Sequence, residues 1–168
     1  SFQQSIVKSL NNRVLVGTLD LRHAVNPIDT LKSGCLGARA DWNRLTAAGH
    51  TVADKGIYSV HEGDYPDVAV VVAKGVVADE YDCAILVCGT GIGMSIAANK
   101  VEGIRAALVT DTFSARMARE HNNANIITLG ARTVGIELAW ELVNAYLGAE
   151  FLGGKHLVRV EKIMGLER

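Results

Sequence analysis

One stretch constrains this chain more than any other: Ala84-Ile-Leu-Val-Cys-Gly-Thr-Gly-Ile-Gly-Met-Ser-Ile-Ala-Ala-Asn99. Ala84 to Val87 is an unbroken apolar run, the mark of a strand buried on both faces of a parallel sheet. Gly89, Gly91 and Gly93 let the backbone turn sharply and let a ligand approach without meeting a Cβ. A helix starting near Ile92 then points N–H groups and the positive end of its dipole at the space above the loop, so an anion is the expected guest. Cys88 lies at the strand's carboxyl end, where open α/β sheets bind ligands. A free Cys in a strand is ordinarily a buried small hydrophobe. A thiol near a helix N-terminus, however, tends to ionise more readily and serves as a nucleophile or base. The loop departs from G-x-G-x-x-G, and no Gly-Lys-Ser/Thr follows it. A small anion therefore fits it better than a nucleotide.

The rest of the chain alternates strands and helices. The predicted strands are Arg13–Thr18, His50–Asp54, Ala84–Val87, Ile104–Val109 and Ala124–Leu129. Residues 19–31 read as a loop with a helical turn after Pro27. Helices are predicted over Ala38–Ala48, stopped by Gly49, and over Val68–Val77, with Pro66 in its first turn. The helix from Ile92 ends before Gly103, and Asp111 or Thr112 caps one through Phe113–Glu120. The last long helix, Gly135–Leu147, is expected to face Leu138, Leu142 and Ala145 inward. This pattern gives a Rossmann-like three-layer α/β/α sandwich with a five-stranded parallel sheet. The 168 residues are expected to form a single domain, with an atypical N-terminal part (1–46) and a C-terminal tail (150–168), hinged at Gly153-Gly154, that packs on a partner subunit;.

Composition excludes several classes of function. Lys and Arg number 17 against 18 acidic residues, a net charge of −1, so neither nucleic acid nor an anionic membrane is an expected partner;. No segment approaches the roughly 18 apolar residues that span a bilayer, and the first residues lack a signal-peptide pattern. Cys35, Cys83 and Cys88 have no C-x-x-C spacing, which argues against a zinc site or a disulfide framework and fits a cytoplasmic protein. A 49% hydrophobic content, rich in Ala and Val, suits a compact α/β core and a buried subunit interface.

Residues just after each strand converge above the sheet. Arg132 follows strand five and joins Cys88 there. His121 lies at a helix end before strand five, at the sheet's opposite edge, where a lone His is ordinarily a dipole-stabilised cap. It reaches the site only from a second subunit or an angled helix.

Six ordered motifs carry a resemblance. They are Asp64-Tyr-Pro-Asp67, Cys88 to Lys100, Gly103-Ile-Arg-Ala-Ala107, Arg119-Glu-His-Asn-Asn-Ala-Asn125, Leu129-Gly-Ala-Arg132, and Gly153-Gly-Lys-His156 with Arg159-Val-Glu161. From about Ala47 onward the chain resembles the type B ribose-5-phosphate isomerases, the family shared with allose- and galactose-6-phosphate isomerases. The resemblance implies a homodimeric aldose–ketose isomerase that interconverts ribose 5-phosphate and ribulose 5-phosphate through an enediolate, with no metal or cofactor. Pairing of dimers into tetramers stays open. By motif position, Cys88 would be the base between C1 and C2, His121 would open the furanose ring, and Thr90 belongs with them as catalytic. The backbone of Gly89, Gly91, Ile92 and Gly93 would hold the enediolate oxygens. Asn122 would bind substrate, and Arg132, Lys155 and Arg159 the phosphate. The family's Asp-His pair after the first strand is replaced by Gly17-Thr-Leu-Asp-Leu-Arg-His23, in which Asp20 and His23 stand in at a different spacing. Lys155 stands where Arg is common and lacks its bidentate geometry. Alternatives are an isomerase of allose 6-phosphate, galactose 6-phosphate or a tetrose phosphate, or a non-catalytic sugar-phosphate-binding relative.

Overall fold

The computed structural model describes residues 13–18, 43–55 and 64–167. Its strands are β1 (Arg13–Thr18), β2 (Thr51–Asp54), β3 (Cys83–Cys88), β4 (Ala106–Leu108) and β5 (Ile126–Gly130), and its helices α1 (Tyr65–Val77), α2 (Ile92–Ala98), α3 (Thr112–Glu120), α4 (Ile136–Leu147) and α5 (Lys155–Met164). Residues 43–47 are helical as well. All neighbouring strands pair in parallel in the order β2-β1-β3-β5-β4, so the predicted five-stranded parallel sheet is present.

Two apolar clusters sandwich the sheet. On one face Val68, Val72 and Val76 of α1 and Met94 and Ala98 of α2 cover Ala84, Leu86 and Ile126. On the other, Leu45, Ala115, Ala118, Leu142, Val143 and Tyr146 cover Ile85, Ile127 and Leu129. Connections that step towards the β4 edge run over the first face, and those stepping back run over the second, as a single crossover hand requires. The chain consequently leaves β3 towards one face and its neighbours β1 and β5 towards the other. Crevices open where such paths diverge, at the carboxyl ends of the strands.

The sequence-based boundaries shift for local reasons. Helix α1 starts at Tyr65 because Asp64 and Asp67 form a capping box: the Asp64 side chain accepts from the Tyr65 N–H at 3.1 Å, and Asp67 accepts from the Asp64 N–H at 2.9 Å;. Strand β5 starts at Ile126 rather than Ala124, since the Ala124 N–H is committed to the Ala118 carbonyl at the end of α3. Strand β4 has three residues instead of six, because the Arg105 N–H is taken by Asn125 Oδ1 at 2.8 Å. In α4 the inward face is Ala139, Leu142, Val143 and Tyr146, the i, i+3, i+4, i+7 set;. Ala145 packs partly against that core, but Leu138 is 41% exposed, one residue and so about 100° off the buried stripe;. Within Ala38–Ala48 only 43–47 is seen as helix, with Leu45 buried; residues 19–31 and the start of that helix lie outside the described residues. No helix among the described residues is long and apolar enough to cross a membrane.

Candidate active site

Strand β3 delivers Cys88 as its last residue, and the next three residues turn over it into α2. The sulfur is nearly enclosed, with Cys88 6% exposed, and the Gly91 N–H donates to Sγ at 3.2 Å. A donor aimed at sulfur is complementary to negative charge there. Gly91 holds φ at +76°, the left-handed value that makes this donation and the start of α2 compatible;. Thr90 is exposed, and its hydroxyl accepts from the Ile92 N–H at 3.4 Å. The first-turn N–H groups of α2, which no helix satisfies internally, open on the same loop.

The loop after β5 is stitched to this one. Ala131 N–H donates to the Cys88 carbonyl at 2.8 Å, and Arg132 N–H to the Gly89 carbonyl at 3.0 Å. These bonds swing the Arg132 side chain over Gly89, its Cδ, Nε and Cζ lying 3.6 to 3.7 Å from where a Gly89 Cβ would sit. Cys88, Thr90 and Arg132 thus share one end of the sheet: a buried sulfur, backbone donors and an exposed guanidinium. Such a set stabilises an anion formed next to an abstracted proton. Tyr65 joins them, its ring packed against Gly93. The sequence held that signal in Asp64-Tyr-Pro-Asp67, which local chemistry reads only as a helix start.

His121, Asn122, Lys155 and Arg159 lie at the other end of the strands. His121 caps α3, and Asn122 is exposed in the turn that follows. The His121 ring stacks on His156 of α5, with centroids 4.1 Å apart and an interplanar angle of 7°. Lys155 and Arg159, both exposed, flank that stack from α5. The five residues of β5 separate these groups from Arg132, about 16 Å at the usual rise per residue;. One chain therefore does not bring the two sets of predicted site residues together. Asp20 and His23 lie outside the described residues.

Burial and, secondarily, the neighbouring His121, Lys155 and Arg159 lower the His156 pKa below the usual 6.5. A histidine depressed in the folded state leaves the unfolded chain holding more protons at acid pH, so stability falls as pH drops below about 6.5. Thermal unfolding should show a lower Tm at pH 5.5 than at pH 7.5, and His156→Phe, which keeps a stacked ring without titrating, should flatten that dependence.

A parallel sheet with a thiol, a glycine loop rich in backbone donors and an arginine at its carboxyl ends defines a Rossmann-like α/β protein with a site suited to an anion;. Residues 40–163 match the family model described as Ribose/Galactose Isomerase. The chain is 48% identical over 124 residues to ribose-5-phosphate isomerase B of Escherichia coli strain K12, covering 74% of this chain and 83% of that protein. It is 51% identical over 120 residues to D-erythrulose-4-phosphate isomerase of Pectobacterium atrosepticum, covering 71% and 79%. Among solved structures, ribose-5-phosphate isomerase B of Clostridium thermocellum aligns with a TM-score of 0.79 at 43% identity, over 92% of this chain and 97% of that one. The Mycoplasma genitalium enzyme with bound ribulose-5-phosphate aligns with a TM-score of 0.81 at 32% identity, over 94% and 97%. The chain belongs to the ribose/galactose isomerase family and is an isomerase.

Proposed function

We propose that this enzyme interconverts ribose 5-phosphate and ribulose 5-phosphate, with Cys88 as the base. The observation that carries the reading is the Cys88 sulfur at a strand end, held by the Gly91 N–H, with the Arg132 side chain against the adjoining Gly89, in a chain of this family. Cys88 Sγ takes the proton from C2 of the open-chain aldose and delivers a proton to C1, in part after exchange with solvent. The carbonyl oxygen O1 becomes an enediolate oxygen, held by the backbone N–H groups of Gly89, Gly91, Ile92 and Gly93. Each such donor contributes about 3 to 4 kcal/mol of barrier lowering. A proton passes from O2 to O1, carried by the Thr90 hydroxyl of the same loop.

His121 opens the furanose ring and Asn122 binds the sugar, both reaching the Cys88 loop of a second copy. Arg132 from one subunit, with Lys155 and Arg159 from the other, holds the phosphate. Asp20 and His23 complete the sugar site. The separation of the two residue sets along the strands supports a homodimer whose subunits run in opposite directions. Exposed apolar groups beside the loop fit that contact: Ile92 and Ile96 on α2 and Leu108 on the edge strand β4. The tail helix α5 carries exposed Val158 and Ile163 towards the same partner. Free, buried Cys83 and Cys88 suit a reducing cytosol;.

A tetrose phosphate is the second reading. It is favoured by the Pectobacterium relative and by the altered spacing of Asp20 and His23 in the sequence after the first strand. Ketose formation from ribose 5-phosphate, allose 6-phosphate, galactose 6-phosphate and erythrose 4-phosphate, measured in parallel, tests the assignment. A kcat/KM highest for ribose 5-phosphate is expected. A higher value for the tetrose moves the assignment to it, and binding without turnover of any of the four overturns catalysis.

A further inference from the structure

We propose that Arg105 is a positioning residue for the isomerisation: its guanidinium fixes the His121–Asn122 turn relative to helix α5. This rests on the isomerase reading, which gives His121 and Asn122 their roles. Arg105 stands just before β4, and its side chain is turned to the amino-end face, away from the Cys88 loop. Its Nε donates to the Asn122 carbonyl at 3.2 Å and the Asn123 carbonyl at 3.0 Å, and Nη2 donates to the Asn123 carbonyl at 2.8 Å. Nη1 reaches Gly103 O at 3.5 Å and Met164 Sδ, on α5, at 3.2 Å.

Two of the carbonyls it meets belong to the turn just beyond helix α3, whose own last C=O groups are taken by the N–H groups of His121, Asn123, Ala124 and Leu152. Helix α3 ends at Glu120, and its last C=O groups together with the turn beyond form the negative end of the dipole;. The turn is forced by Asn123, whose φ of +46° an asparagine tolerates better than most residues;. A second clamp sits beside the first. Asn125 Oδ1 accepts from the Arg105 N–H at 2.8 Å, and its Nδ2 donates to Gly103 O at 2.9 Å. Arg105 therefore joins β4, the turn that carries His121 and Asn122, and the helix that carries Lys155 and Arg159. Only a planar fork of donors satisfies acceptors in that many directions at once, and a lysine in its place offers a single point charge.

The test compares the parent, Arg105→Lys and Asn125→Ala, the milder variant that loosens the second clamp should the first not fold. For each, kcat and KM with ribose 5-phosphate, Tm, and the ring signals of histidine-labelled protein are measured, with the His121 signal assigned from His121→Gln. The expected result is a kcat lower by about 10- to 100-fold, the scale of a catalytic group displaced by an ångström. The His121 signal should shift with it as the stack on His156 changes. A residue serving the fold alone would lower Tm yet leave kcat per folded molecule and the His121 signal at parental values, and that outcome overturns the proposal. If the parent itself does not isomerise ribose 5-phosphate, the substrate assignment fails, while the His121 signal still reports whether Arg105 places the turn.

Discussion

Replacing Cys88 with alanine should lower ketose formation by about 10²- to 10⁴-fold, the usual contribution of a positioned base. The fold should survive the change, because the side chain removed is small and touches the core through one sulfur. Cys88→Ser should be almost as poor: the hydroxyl fits the space and accepts from the Gly91 N–H, but it ionises far too weakly to take a carbon-bound proton near neutral pH. Steady-state assays with circular dichroism on each variant separate lost chemistry from lost structure. A serine variant at parental kcat would remove Cys88 from the mechanism.

The second large effect is expected at Gly91. Its φ of +76° alone costs a side chain about 1 to 2 kcal/mol;. An alanine Cβ would also lie 2.6 Å from Leu108 Cδ1 and 2.9 Å from the carbonyl carbon of Leu129, and backbone cannot rotate away. Overpacking of this kind adds about 1 to 3 kcal/mol. Gly91→Ala should therefore lose about 2 to 5 kcal/mol, a Tm lower by roughly 5 to 15 °C in a chain of this length. It should also lose most activity, since the N–H aimed at Cys88 Sγ moves with the loop. Gly135→Ala is the control. Nothing lies within 4 Å of that Cβ, and the change should shift Tm by no more than a degree or two;.

The sheet was legible because its strands are apolar runs bounded by Gly, Pro and capping residues, and the right-handed crossover rule leaves few topologies for five of them. The Cys88 loop was legible for the same local reason: Gly89-Thr-Gly-Ile-Gly93 has one economical conformation between a strand and a helix. What local pattern misses is set by partners distant in sequence. Strand β4 is shortened by the side chain of Asn125, 20 residues on and beyond α3, and β5 starts late because Ala124 is tied back to α3. Leu138 reads as inward, but the Tyr146 ring and its hydrogen bond to Ala124 O at 2.8 Å set the rotation of α4. The His121–His156 stack joins two segments 35 residues apart that carry no shared signal of their own. Arg105 is the sharpest case: within Gly103-Ile-Arg-Ala-Ala107 it reads as an ordinary charge at a strand start, and only the fold shows what it holds.

The central claim is that Cys88 moves a proton through an enediolate, and exchange with solvent tests it most directly. With ribose 5-phosphate in heavy water, the parent should incorporate deuterium at C1 of ribulose 5-phosphate and C2 of recovered ribose 5-phosphate, and Cys88→Ala should incorporate none above the uncatalysed rate. Undiminished exchange in Cys88→Ala would contradict the account.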